Sequence, residues 1–358
     1  MQQVNVGVIG TGWCGGIRAV ACSRNPLVRE LHIAEVNPER LIEMSEMVLP
    51  DTATDDWEKL LDNADIDIVM ISATPETTHY PMAKAALEAG KHVLLEKPIS
   101  LFLNEADDLI ETAERNDLKF TIAYSQRFQG KQSLIKRSLD AGELGEPVSV
   151  LVSRHITRGL GDRIGKRIKL TPASMEATHD IDFAMWCLEP RKPVRVYCQP
   201  AFGHRKDTVG LPDTQMMIIT MDDGVVVCVG AGMSLPENYP HFSTTWIEFV
   251  GTEGSVFVDD SHRDIVLNTA EKGVMFPLST MPGEYVGDHT YHGPMERETN
   301  HFVEAVAYDH DVMVQPRLAR TTMEIYLAAD LSSDNNQVIE LPMDEDTLRQ
   351  AHAASVKQ

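Results

Sequence analysis

The sequence is short of cationic charge, of paired cysteines and of long apolar runs, and each shortage removes a class of protein. Only 32 Lys and Arg face 54 Asp and Glu, a formal net charge of −22 at pH 7. A surface that negative repels nucleic-acid phosphates and anionic lipid, so neither nucleic acid nor a membrane is expected as a partner. The five cysteines stand at 14, 22, 187, 198 and 228, with no C-x-x-C pair. That odd, scattered set fits a reducing cytoplasm and argues against a disulfide scaffold or a cysteine-based zinc site. The longest apolar runs, such as Val225–Ala231, fall well short of the roughly 20 residues a spanning helix needs. No basic flank precedes the strand-like Val4–Ile9, so no signal or transit peptide is expected and the chain is assigned to the cytoplasm.

What is present is ordinary globular material, with 43% hydrophobic and 24% charged residues over 358 positions. That length suggests two domains, each able to bury a core. Up to about residue 125, short β-branched runs alternate with helical patterns. The runs are Val4–Ile9, Leu31–Val36, Ile66–Ser72, His92–Glu96 and Phe120–Ala123. Such runs read as strands of a parallel sheet buried on both faces. Pro81–Ala89 reads as a helix closed by Gly90, and Ala106, Leu109, Ile110 and Ala113 repeat at helical spacing. Repeated β-α units imply a doubly wound open sheet over residues 1–125.

Beyond Gln126 the texture changes. Pro147–Ser153, Val194–Gln199, Gln215–Met221, Val225–Ala231, Thr245–Val250 and Ser255–Val258 read as strands. The turn-like Asp222-Asp223-Gly224 and Gly251-Thr252-Glu253-Gly254 join neighbouring pairs. Consecutive strands on tight turns mean a large, mostly antiparallel open sheet. Helical patterns at Ala173–Cys187, Glu296–Tyr308 and Arg317–Leu331 complete an α+β domain, taken as 126–358, whose last helix is a candidate to pack back on the first domain. The fold class is therefore α/β.

Gly10-Thr11-Gly12-Trp13-Cys14-Gly15 is G-x-G-x-x-G directly after the first strand and at the start of a helical segment, the context that gives this motif meaning. The glycines allow a tight turn, approach of the backbone to a pyrophosphate, and close helix–strand packing. The helix start offers unpaired N–H groups to the anion. Glu35 follows Gly15 by twenty residues, where an acid accepts hydrogen bonds from the adenosine ribose. Its charge would repel a 2′-phosphate, so NAD is expected over NADP.

Three further segments carry a resemblance. Thr74-Pro75-Glu76-Thr77-Thr78-His79 follows the third strong strand signal. Ala86–Pro98 reads A-L-E-A-G-K-H-V-L-L-E-K-P, and His179-Asp180-Ile181-Asp182 lies in the second domain. With the glycine loop, the segment ending Gln126-Arg127-Phe128 and the last helical pattern, these resemble the Gfo/Idh/MocA family of oxidoreductases over nearly the whole chain. The resemblance implies an N-terminal Rossmann domain and a C-terminal α/β domain whose broad sheet joins subunits into a homodimer or homotetramer. It implies a hydride moved between NAD and a secondary hydroxyl or carbonyl of a sugar or polyol. Lys97, with a cis bond to its proline, would face the reacting oxygen, and His179 would share the proton transfer. The cofactor would be held by Gly10 to Gly15, Glu35, Arg40, Thr74, Pro75, His79, Glu96, Lys97 and Gln126. The substrate would be met by Arg127, Arg154, His155, Arg158, Arg167 and Glu176.

This division of labour makes chemical sense. Hydride transfer from an alcohol needs a group to take the hydroxyl proton, and histidine ionises near neutrality. Taken alone, Lys97 would read as a solvated lysine and His179 as a core histidine bonded to a carbonyl; their settings favour chemistry.

Two departures matter. Where family members often carry an aspartate four residues before the histidine, this chain has Met175, with the acid Glu176 one residue later. On an α-helix that step turns the side chain by about 100°. Between Arg154 and Lys169 lie six cations and one acid, Asp162. That run reads either as a clamp for an anionic group on the sugar, since arginine grips such groups bidentately, or as a solvated loop. His289 and His292 form H-x-x-H in a loop with no cysteine partner, so no metal is expected. Two other functions stay open: a glycoside-cleaving or sugar-rearranging enzyme that uses tightly held NAD transiently, and a non-catalytic nucleotide-binding sensor.

Overall fold

Apolar runs and helical patterns alternate through the first 129 residues as β1 (Val4–Ile9), α1 (Trp13–Arg24), β2 (Val28–Ala34), α2 (Pro38–Val48), β3 (Thr52–Thr54), α3 (Glu58–Asp62), β4 (Ile68–Ile71), α4 (His79–Glu88), β5 (His92–Leu95), α5 (Leu103–Arg115) and β6 (Phe120–Ile122). The computed structural model describes residues 3–240, 243–260, 267–271, 273–275, 284–286 and 290–355. The six strands pair in parallel in the order β3-β2-β1-β4-β5-β6. The order turns back between β1 and β4, the switch point where ligands bind outside the carboxyl ends of an open parallel sheet. β1 and β4 are buried at every position, as strands covered by helices on both faces must be.

Two compact units divide the chain: Met1–Gln129 with Met281–Arg320, and Gly130–Thr280 with Thr321–Gln358. The second contains α6 (Gly130–Asp140), β7 (Pro147–Thr157), α7 (Arg158–Arg167), α8 (Thr178–Leu188), β8 (Pro193–Ala201), α9 (His204–Thr208), β9 (Thr214–Met221), β10 (Val226–Leu235), β11 (Ser243–Gly251), β12 (Ser255–Asp260) and the small pair β13 (Leu267–Thr269) and β14 (Gly273–Met275). The pair β15 (Glu284–Val286) and β16 (Thr290–His292) and helix α10 (Pro294–Ala307) return to the first unit. Then follow α11 (Pro316–Asn335), β17 (Ile339–Glu340) and α12 (Glu345–Ser355).

The segment expected at 296–308 in the second domain thus lies in the first unit. Its apolar residues Phe302, Val303, Ala305 and Ala307 join Val6, Val8 and Ile33 in one core cluster, and that burial fixes its allegiance.

The second unit's sheet runs β12-β11-β7-β10-β9-β8-β17 and is antiparallel except where β10 pairs with β7. Alternation along β7 buries Val150, Val152, Arg154 and Ile156 on one face and turns Leu151 and His155 to the other. Register then aligns Phe257, Glu248, Leu151, Cys228, Ile218 and Tyr197 in one row across six strands. Phe257 is 63% exposed, and its ring stacks on Trp246 with centroids 5.5 Å apart.

The basic stretch, read from sequence as a loop, folds into α7 despite three glycines. A Cβ on Gly161 would meet the Met233 Cβ at 2.6 Å, and one on Gly165 would come within 3.3 Å of Val209. Gly161 lets the helix lie close to β10 and Gly165 lets it lie close to Val209 after α9, so packing overrides their poor helix propensity.

Candidate functional site

The glycine loop connects β1 to α1 at the switch point. Gly10 has φ +78°, and a Cβ there would sit 2.8 Å from the backbone of Ala73 in the loop after β4. A Cβ on Gly15 would collide with the Gly10 carbonyl at 1.8 Å, so helix and strand can meet only through glycine. Gly12 differs: nothing lies within 4 Å of where its Cβ would be. Its missing side chain leaves open space at the start of a twelve-residue helix with no side-chain cap, which fits a pyrophosphate on the free N–H groups. Thr11 is buried, while Trp13 is 62% exposed at the loop's rim.

Glu35 follows β2 and takes hydrogen bonds from the Thr11 N–H (2.7 Å) and hydroxyl (3.1 Å) on one oxygen and from the Asn37 N–H (3.0 Å) on the other. The carboxylate stands beside the glycine loop, where a ribose acceptor belongs. Asn37 caps α2 by accepting from Glu39 and Arg40, which ends the extended run before Val36 and leaves that residue exposed. Arg40 turns back to the loop. Its Nε donates to the Thr11 carbonyl at 2.7 Å and Nη2 to the Gly12 carbonyl at 3.3 Å, while Nη1 meets Glu43 at 2.7 Å. Arg40 therefore braces the cofactor loop from its carbonyl side.

The loops after β4 and β5 are joined through His79. Thr74–Pro75 and Lys97–Pro98 are both cis. His79, 1% exposed, opens α4 with Nδ1 2.6 Å from the Pro98 carbonyl and Nε2 3.1 Å from the Ala73 carbonyl. Because a carbonyl can only accept, the closer contact is an Nδ1–H donation. Burial lowers the His79 pKa, against the pull of the Pro98 carbonyl and of Glu76 and Glu96. Glu96 is gripped by the fully buried Arg18 of α1 at 2.5 Å, and Arg18 also reaches Glu298 at 3.0 Å and the Thr299 hydroxyl at 3.2 Å. Lys97 is half-buried between these anchored neighbours. Burial pushes the Cys14 thiol far up, Glu96 adds to this, and Arg18 and Lys97 act the other way.

The side chains of His79 and Glu96 are both engaged inside the protein. Arg127 is likewise 1% exposed and donates to the Met313 carbonyl at 3.0 Å, tying down its own unit. Gln126, beside it, is also buried. Arg18 was missed in the sequence reading. Its signal is an arginine inside the apolar helical stretch Ile17–Cys22, which needs a buried partner.

In the second unit, His179 is half-buried in the first turn of α8. Its neighbour Asp180 is fully buried and accepts from Arg154 of β7 at Nε (2.8 Å) and Nη2 (2.7 Å). Arg154 is therefore not held open for a substrate anion. His155 points to the opposite face of the sheet from Arg154, because successive strand residues alternate. Burial lowers its pKa, with Asp180 opposing. Arg158 starts α7 with its Nε buried and without a hydrogen-bond partner among the described residues. Arg163, Lys166 and Arg167 are exposed along α7, and Lys169 donates to the Val209 carbonyl at 2.5 Å. The six cations do not converge on one point.

The segment before His179 is a π-turn, Ala173–Ala177, so the 100° α-helical step does not describe Met175 and Glu176. Gln215 accepts the Ala173 N–H at 2.8 Å, and the buried Asp330 accepts from the hydroxyls of Thr171 (2.7 Å) and Ser355 (2.6 Å) and from Gln215 (3.0 Å). That network holds the turn open. Met175 is 3% exposed and faces the core, and Glu176 is half-buried. Of the H-x-x-H pair, His289 lies outside the described residues and His292 ends β16, 3.5 Å from Glu296. Among the described residues no cluster of three His, Cys, Asp or Glu could hold a metal, and no helix is long and apolar enough to cross a membrane.

Comparison with known proteins agrees with this geometry. The profile of the oxidoreductase family with an NAD-binding Rossmann fold matches residues 4–124, and that of the Gfo/Idh/MocA C-terminal domain matches 133–257. Levoglucosan dehydrogenase of Pseudarthrobacter phenanthrenivorans is 29% identical over 74% of this chain and 75% of its own. The NAD-dependent scyllo-inositol 2-dehydrogenase of Bacillus subtilis is 27% identical over 80% and 81%. In fold, the chain is similar to the scyllo-inositol dehydrogenase of Lactobacillus casei, solved with NAD(H) and scyllo-inositol, at TM-score 0.81 and 20% identity over 95% of this chain and 100% of that one. With both domain profiles matched in order and the glycine loop, Glu35 and the Lys97 segment all following strands at the carboxyl end of one parallel sheet, the chain belongs to the Gfo/Idh/MocA family of NAD-dependent oxidoreductases.

Proposed function

We propose that this enzyme oxidises a secondary hydroxyl of a neutral sugar or polyol with NAD, Lys97 taking the hydroxyl proton and His179 serving as the second proton-handling group. The observation that carries the reading is the setting of the Lys97 segment: it follows β5 at the carboxyl end of the parallel sheet that also carries the glycine loop after β1, and the preceding Glu96 is ion-paired with Arg18 of α1 at 2.5 Å. When bound, the nicotinamide supplies the hydride acceptor. The chain supplies the rest: the glycine loop and Glu35 orient the dinucleotide, and Lys97 holds the alcohol oxygen and removes its proton. The relatives named for levoglucosan and inositols support an uncharged, polyhydroxylated substrate. The pairing of Arg154 with Asp180 weighs against an anionic one. The test is NAD reduction with scyllo-inositol, myo-inositol and levoglucosan, alongside their carboxylated or phosphorylated counterparts. Lys97→Ala should lower turnover on the preferred compound by roughly a hundredfold or more, the scale of a general acid–base group. Near-normal turnover in that variant, or preference for the anionic set, sinks the reading.

We also infer that the enzyme is a homo-oligomer joined through the open face of the seven-stranded sheet. Leu151, Met216, Ile218 and Phe257 are each more than 40% exposed on that face, an apolar patch suited to a second copy. Ile218→Glu should convert the assembly to monomer in light scattering; an unchanged mass removes the assignment.

A further inference from the structure

Lys97 has a property that its motif does not announce. The residues on either side of it are each held by a buried side chain from a different helix. Before it, the Glu96 carboxylate lies 2.5 Å from the Arg18 guanidinium of α1, which is fully buried and steadied by Glu298 and Thr299 of α10. After it, the Pro98 carbonyl accepts from Nδ1 of His79 on α4 at 2.6 Å. His79 also faces the Ala73 carbonyl, and Ala73 is the residue whose backbone crowds Gly10 of the cofactor loop. The chain of contact is thus continuous: glycine loop, Ala73, His79, Pro98, Lys97, Glu96, Arg18, and back to α1, which the glycine loop begins.

We propose that Arg18 and His79 are positioning residues that hold the chain on both sides of Lys97, Arg18 through the Glu96 carboxylate and His79 through the Pro98 carbonyl, and so fix its amine relative to the cofactor loop. The proposal rests on the reading of Lys97 as the proton-transfer group. A flexible lysine stem loses aim readily when its backbone moves, and a misplacement near 1 Å can cost on the order of a hundredfold in rate. Two grips, one ionic and one through a neutral donor, are what a single residue in a strand-end loop needs to be held in both translation and twist. Neither Arg18 nor His79 touches the reacting atoms in this scheme; both act on Lys97 through its chain neighbours, Glu96 and Pro98.

Asparagine and glutamine separate this role from mere core filling. The Asn amide nitrogen falls near the place of histidine Nδ1 and can still donate to Pro98; the Gln amide falls near Nε2 and reaches only toward Ala73. The full-length protein with saturating NAD is reductively methylated with a 13C label, and the Lys97 resonance is identified by its loss in Lys97→Arg. Expected is a wild-type-like Lys97 resonance in His79→Asn, and a displaced, broadened resonance in His79→Gln. Arg18→Lys keeps the charge but not the grip on both carboxylates, and should likewise displace the resonance. If His79→Gln does not fold, Arg18→Lys carries the comparison. A Lys97 resonance that is the same in wild type and in every folded variant overturns the clamp. Turnover of Lys97→Ala reports separately on the proton-transfer reading, because the resonance describes the setting of Lys97 whether or not it moves a proton.

Discussion

The two units solve the same local problem with different means. In each, a proposed proton-handling residue sits next to a carboxylate gripped by a buried arginine: Glu96 with Arg18 beside Lys97, and Asp180 with Arg154 beside His179. In the second pair both partners are buried. His179 rides on a helix whose own backbone bonds set its direction. Lys97 instead stands on a loop after a four-residue strand, and there the arginine serves two carboxylates and a histidine grips the other side. An irregular support needs more anchors than a regular one. Burial makes those anchors costly to lose, because an unpaired charge in the interior keeps its full desolvation penalty.

The largest expected effect breaks this comparison directly. Arg154→Met removes the bidentate partner of the buried Asp180, and should cost about 3–5 kcal/mol of stability in urea denaturation. Arg18→Met removes the guanidinium shared by two carboxylates and should cost more, and an unfolded product would count as the larger loss. An Arg18 variant as stable as wild type, or a smaller loss there than at Arg154, would mean that the shared guanidinium is not the keystone of its loop. A retained preference for neutral polyols in Arg154→Met would sharpen the comparison, since its arginine would then be structural alone.

Glu35 is the contrasting third carboxylate. It takes its hydrogen bonds from Thr11 and Asn37, and among the described residues no guanidinium grips it. Its charge therefore remains available to act on a ligand. Repulsion of a 2′-phosphate should favour NAD over NADP by on the order of 1–3 kcal/mol. Titration of both nucleotides into wild type and Glu35→Ser, followed through Trp13 at the loop's rim, should show that preference shrink in the variant. Equal affinities in the wild type would mean that the acid only braces the loop.

How much of this was legible in the sequence depends on the range of the interaction. The glycine loop, Glu35 and the buried face of α5 were readable, because each is set by spacing within about one or two elements, and Ala106, Leu109, Ile110 and Ala113 are all buried. The run ending at Val36 was drawn too long because Asn37 starts a helix by capping it, a local signal outweighed by apolar character. Helix α7 was hidden by glycines whose purpose is contact with Met233 and Val209, far away in sequence. The pairing of Arg18 with Glu298 spans 280 residues, and the return of α10 to the first unit is equally long-range. The π-turn before His179 depends on Gln215 and Asp330, neither of which any pattern near the histidine reveals.

The smallest expected effect concerns acid. Burial lowers the pKa of His79, His92 and His301 in the first unit and of His155 and His352 in the second. A histidine depressed in the fold binds its proton more readily when the chain is unfolded. Its contribution is therefore fully present above the ordinary histidine value of 6.5 and is lost as pH falls from there toward the lowered value. Each such group contributes a slope of at most about 1.4 kcal/mol per pH unit across that window. Carboxylates oppose the shift at His79, where Glu76 and Glu96 pull the other way, and at His155, where Asp180 does. The protein should thus lose stability between neutral pH and mild acid, and the comparison predicts where. His79→Asn removes a titrating group while keeping a donor for Pro98, so its urea midpoint should fall less steeply than that of wild type as the buffer is taken below pH 6.5. Parallel curves for the two proteins would show that His79 does not titrate differently in the folded and unfolded chain, and that its two carbonyl contacts offset the burial that lowers it.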